Sequence, residues 1–117
     1  MKNVKAMIKS GMIIETEGYI MFTTIHPLTK RLVAIPVIGG PVLEIEDNFD
    51  NAGHVLFWVS SHQPDDLNIV DVYKFNEDCE DEFNTLVFNN YYGAFPRVAV
   101  RKMVDEYVKD KILIKIA

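Results

Sequence analysis

The chain reads as an α+β fold: an antiparallel meander sheet, or a small twisted barrel, of about six to seven strands with two helices in its carboxy-terminal half. Three observations predict it. From Met12 to Phe75 the apolar residues are mostly β-branched or aromatic and tend to alternate with polar ones. Gly, Pro, Asn and Asp separate these runs at short intervals. After Asn76 the apolar spacing lengthens to the helical period, and it shortens again only in the last residues.

The first segment spaces Val4, Met7 and Ile8 helically, with Gly11 placed to end the turn. Residues 12–16 and 19–25 form a hairpin around Gly18. Residues 26–30 make a polar turn, in which Pro27 biases His26 towards extended backbone. Residues 32–38 form a strand whose Pro36 cannot donate to a ladder, which places it at an edge or a bulge. Gly39-Gly40 is a tight-turn signal leading into a strand at 42–46. After a loop at 47–53, residues 54–60 are apolar on both sides and read as a central strand. A turn containing Pro64 leads to a strand at 67–75, with Val70, Val72 and Lys74 on one face and Ile69, Asp71, Tyr73 and Phe75 on the other.

Cys79, Phe83, Leu86, Val87 and Asn90 then lie at helical spacing. Pro96 suits the first position of a second helix, with Val100, Met103, Val104 and Tyr107 as its apolar stripe and Arg101 among its outward charges. Residues 112–117 alternate as a last strand, which needs a sheet edge other than the one near Pro36.

At 117 residues the chain reads as one domain able to bury its own core. Its apolar runs fall short of the roughly 18 residues of a membrane span. Lys2, Lys5 and Lys9 head the chain without a signal-type apolar stretch. Cys79 is the only cysteine, so no internal disulfide forms, and a cytoplasmic setting is expected.

Charge is segregated along the sequence. Residues 32–96 hold twelve carboxylates and one cation, Lys74, for a formal charge of −11; each flank carries +3, giving −5 overall. Such an asymmetry steers encounters with oppositely charged partners and disfavours direct nucleic-acid binding. The densest part is Glu77, Asp78, Cys79, Glu80, Asp81 and Glu82. One or two of these acids would suit the first turn of a helix and simply be solvated. The excess repels itself and points to a cationic partner. Asp47 and Asp50 extend the acidic surface if the 47–53 loop and the 76–82 segment share one end of the sheet. Tyr91, Tyr92 and Phe95 combine an aromatic cluster with nearby Arg97, the composition of an interface anchor as well as of ordinary packing.

No cofactor or metal motif is present. The acidic run lacks the calcium-loop spacing, and His54 and His62 flank an expected strand too long for a shared zinc. Acidic neighbours oppose thiolate formation at Cys79. Gly39-Gly40-Pro41 lacks the lysine of a phosphate loop.

In size and charge the chain resembles toxin-immunity proteins, antitoxins and phage-encoded inhibitors of host machinery, with no shared motif. The expected function is therefore non-catalytic: a small acidic protein that occludes a basic surface of a partner protein, such as a toxin or a nucleic-acid-handling enzyme. Glu77, Asp78, Glu80, Asp81, Glu82, Asp47 and Asp50 would supply attraction, and Tyr91, Tyr92 and Phe95 anchoring. The competing expectations are a small β-barrel ribonuclease or hydrolase using His54 or His62, and a self-associating subunit using the edge at 32–38 or the last strand.

Overall fold

The computed structural model describes residues 3–37, 42–56, 67–77, 79, 81 and 97–116, with side chains in the last stretch from Arg101 onward. A short helix α1 (Val4–Met7) precedes β1 (Met12–Thr16), β2 (Ile20–Ile25), β3 (Leu32–Pro36) and β4 (Leu43–Glu44). Helix α2 (Ile45–Asn48), β5 (Ile69–Phe75), helix α3 (Arg97–Lys109) and β6 (Leu113–Lys115) follow. The strands form one antiparallel sheet in the order β4-β3-β2-β1-β5-β6. The α+β class stands, but the sheet is open, with β4 and β6 as edges, and does not close into the barrel that was the alternative expectation.

Local chemistry explains the hairpins. Thr16 and Tyr19 close the β1–β2 turn: Thr16 N–H donates to Tyr19 C=O at 2.8 Å, and Tyr19 N–H donates to Thr16 Oγ1 at 2.9 Å. His26 does similar work in the β2–β3 turn, where its Nδ1 accepts from Leu28 N–H and Thr29 N–H at 3.1 and 3.2 Å. Buried Thr23 accepts from Met12 N–H at 2.9 Å and donates to Lys9 C=O at 2.6 Å, so its hydroxyl is satisfied inside the fold.

The sheet buries both faces, which explains the weak alternation of its strands. On one face Ile14, Met21, Ala34 and Val72 pack with Leu43 beneath Ile8, Ile45, Phe49 and Leu67. On the other, Ile13, Phe22, Val37, Tyr73 and Leu113 pack with Val104 of α3, flanked by Met103 and Tyr107. Phe75 and Tyr107 meet edge to face at 6.5 Å.

Four expectations need correction. The segment 42–46 holds only two strand residues before α2 begins. Glu44 N–H donates to Asn48 Oδ1 at 2.7 Å, and Ile45, the first residue of α2, and Phe49, the extended residue after it, both bury in the core. Residues 54–56 make only a bridge from Val55 to Phe49 and are not a central strand; residues 57–60 lie outside the described residues.

In β5, Glu15 pairs with Asp71 but Thr16 pairs with Ile69, so Val70 is an extra, bulged residue. The bulge leaves Val70 exposed and moves Ile69 to the face of Val72. The meander, finally, stops at β4, because β5 returns to the free side of β1.

Helix α3 packs Met103, Val104 and Tyr107 of its expected stripe and ends in a Schellman turn: Ile112 N–H reaches Tyr107 C=O at 2.8 Å and Lys111 N–H reaches Val108 C=O at 3.2 Å. Lys111 takes the left-handed position, with φ of 61°, where glycine is usual. The turn delivers β6 to the edge beside β5, away from Pro36 as the sequence requires. The expected helix after Cys79 and the aromatic cluster at 91–95 lie mostly or wholly outside the described residues. Among the described residues no helix is long and apolar enough to cross a membrane.

Candidate functional site

Among the described residues, the carboxylates of the acidic middle do not gather into one bare patch. Arg31, from the basic amino-terminal flank, pairs through one nitrogen with Glu44 at 2.6 Å and with Asp47. Lys5 lies 3.6 Å from the Glu46 carboxylate and donates to the backbone carbonyls of Glu46 and Phe49, so α1 clamps the end of α2. Lys115, from the carboxy-terminal flank, pairs with Asp71 at 2.8 Å.

Asp50 is occupied by its own loop: its Oδ1 accepts from Ala52 N–H and His54 N–H, each at 2.9 Å. These contacts hold both loop carboxyls below the usual range, Asp47 chiefly through Arg31 and Asp50 chiefly through the His54 amide. Thus each flank returns cations to the acidic middle, and the one-dimensional segregation of charge is partly undone in three dimensions.

The run at 77–82 differs. It follows β5 directly, beside the Schellman turn, where Asn76 N–H donates to Ile112 C=O at 2.8 Å and Asn76 Nδ2 to Lys111 C=O at 3.1 Å. Glu77 and Asp81 are exposed and make no ion pair among the described residues. Asp78, Glu80 and Glu82 lie outside the described residues, as do Tyr91, Tyr92 and Phe95.

Asp47 and Glu77 follow strands that end on the same side of the sheet, as expected. They lie far apart, however: β4 is an edge and β5 an inner strand four strand spacings away, roughly 19 Å.

A second polar site lies where α3 crosses the sheet, and no local sequence pattern signals it. Glu15 on β1 and Asp71 on β5 are cross-strand partners on the helix-covered face. Arg101, expected to point outward, instead turns in and pairs with Glu15, and its Nη2 reaches Asp105 at 2.9 Å. These two acids hold the Arg101 guanidinium above its usual pKa, Glu15 most strongly. Tyr73 OH reaches Asp71 at 3.4 Å, and burial, reinforced by Asp71 and Glu15, pushes its pKa up to about 12. Lys115 is raised as well, by its bond to Asp71.

Beside this network is a cleft of about 520 Å³ under the β1–β2 turn, lined by Glu15, Thr16, the Glu17–Ile20 segment, Arg101, Lys102 and Asp105. The only pairing signal available was the coincidence of an acid on a strand with an arginine on a helix, and a separation from Glu15 to Arg101 carries no register.

The histidines do not join this cleft. His26 holds its turn, and His54 is largely exposed, 3.7 Å from Asp50; His62 lies outside the described residues. Among the described residues no group of three His, Cys, Asp or Glu side chains is placed to hold a metal ion. Compared with known proteins, the chain matches no family model, no curated protein and no solved structure.

Proposed function

We propose that the protein is a binding module whose acidic run at 77–82 docks on a basic surface of a partner protein and occludes it. One contrast carries the reading. Glu44, Glu46, Asp47 and Asp71 each receive a cation from the flanks, whereas Glu77 and Asp81 are exposed without one among the described residues. Five acids fall within six residues with no cation between them in sequence, the densest source of attraction for a cationic surface.

The proposal is thereby narrower than the expectation from sequence. Asp47 is engaged by Arg31 and Asp50 by its own loop, and attraction falls to Glu77, Asp78, Glu80, Asp81 and Glu82. Tyr91, Tyr92 and Phe95 are proposed as the anchors that slow release. Association would be fast at low salt and slow as ionic strength rises.

The test is affinity capture from the organism of origin with the wild-type chain and with a Glu80→Lys, Asp81→Lys, Glu82→Lys variant. The expected result is a basic protein retained by the wild type and lost by the variant, with an association rate that falls with salt. Equal capture of the same proteins by both would refute the reading.

A further inference from the structure

The cleft under the β1–β2 turn has features that structural support of α3 does not require. Its volume lies in the range of small-molecule sites. Tyr19 and Ile20 line it together with charged groups. Glu15, Glu17 and Asp105 outnumber Arg101 and Lys102, so the lining is net negative and complements a single positive charge.

The Glu15 carboxylate, 20% exposed, pairs through Oε1 with Arg101 Nη1, while Glu15 Oε2 and Arg101 Nη1 are both closed to solvent and neither completes a hydrogen bond. An ionised oxygen in that position is an acceptor left incomplete. Arg101 meanwhile has a second carboxylate partner in Asp105 and is 42% exposed. It can therefore leave Glu15 and keep an ion pair.

We infer that the cleft binds a small primary amine carried on a short apolar body, whose ammonium takes the place of Arg101 on Glu15. The body lies against Tyr19 and Ile20, where the aromatic ring also favours a cation. An ammonium brings three donors, enough to serve both Glu15 oxygens. Arg101 stays on Asp105 and acts as the resident stand-in for the ligand. The site is independent of the acidic run at 77–82.

The probe is benzylamine, with benzyl alcohol and benzoate as neutral and anionic controls, titrated into the full chain and followed by amide chemical shifts. The expected result is saturable shifts at Glu15, Tyr19, Ile20 and Arg101 below about 10 mM, a fragment-sized affinity, with at least about a tenfold preference over benzyl alcohol. Arg101→Gln removes the competing guanidinium and is expected to tighten benzylamine binding. No saturable shifts, equal binding of the alcohol, preference for benzoate or weaker amine binding by a folded Arg101→Gln chain would each overturn the assignment. The comparison of the three probes uses the unaltered protein and does not depend on any variant folding.

Discussion

Glu15 and Asp71 stand opposite each other across the β1–β5 ladder, and each draws its cation from a different element, Arg101 of α3 and Lys115 of β6. Two like charges directly opposed destabilise a ladder unless compensated. The carboxy-terminal helix and strand therefore do more than cover apolar surface. They neutralise a repulsion built into the β1–β5 pair of inner strands.

Arg101→Ala should lower stability by about 1–2 kcal/mol, because it leaves Glu15 largely buried without its cation while solvent screens part of the loss. Adding Glu15→Gln should recover much of the deficit, since the uncompensated charge is then gone. Urea unfolding of the two single variants and the double variant measures this. Additive losses would show that Glu15 and Arg101 are not coupled.

Tyr73 ionises late, at about 12 instead of the ordinary 10.0, because burial and the carboxylates of Asp71 and Glu15 disfavour a phenolate. Its folded-state value is raised, so its contribution to stability is complete below pH 10 and is lost as pH rises from there towards 12. The unfolded chain gives up this proton first, and the slope of stability with pH is negative across that window. Lys115, also raised, adds a loss of the same sign. Tyr73→Phe should flatten the decline without abolishing it. Urea midpoints from pH 9 to 12 test the slope, with phenolate absorbance reporting the late-ionising tyrosine.

Gly53 and Gly11 both adopt positive φ, 91° and 84°, but their surroundings differ. A Cβ on Gly53 would sit 3.1 Å from Ile69 Cβ and 3.4 Å from Val4 Cγ1, whereas one on Gly11 meets open space. Gly11→Ala should cost about 1 kcal/mol of backbone strain alone. Gly53→Ala should cost distinctly more, because the methyl group also wedges β5 away from α1. Thermal unfolding of the pair gives the difference directly. Equal losses would mean that the packing around Gly53 yields freely.

The pattern of residues was sufficient for β1, β2, β3, β5, β6 and α3, because each buries a periodic set of side chains against one or both faces of the sheet. It failed at 45–48, where Leu43, Glu44, Ile45 and Glu46 alternate like a strand but Asn48 captures the Glu44 amide and turns the chain. It failed at Val70 because a bulge depends on how Thr16 and Ile69 pair, which periodicity within one strand cannot report. Turn composition located the hairpins, yet gave no hint that β5 skips past β2, β3 and β4 to reach β1.

The charge pattern was legible as a one-dimensional fact. Its folded outcome depended on where Lys5, Arg31 and Lys115 land, and these pairings span distant parts of the chain. Arg101 was assigned outward because its helix neighbours are polar. The deciding factor is Glu15, half-buried opposite it on the sheet.

The placement of β5 beside β1 also fixes an order of events during synthesis. The hairpin of β1 and β2 and the adjoining β3 are made early, while the opposite edge of β1 must wait for residues 69–75 to emerge. Until then its backbone donors and acceptors are open to any extended segment nearby. Loop closure on this scale slows assembly more than the local hairpins do. A nascent chain stalled after β4 would thus expose an adhesive rim running through Ile13 and Ile14, both fully buried in the finished molecule.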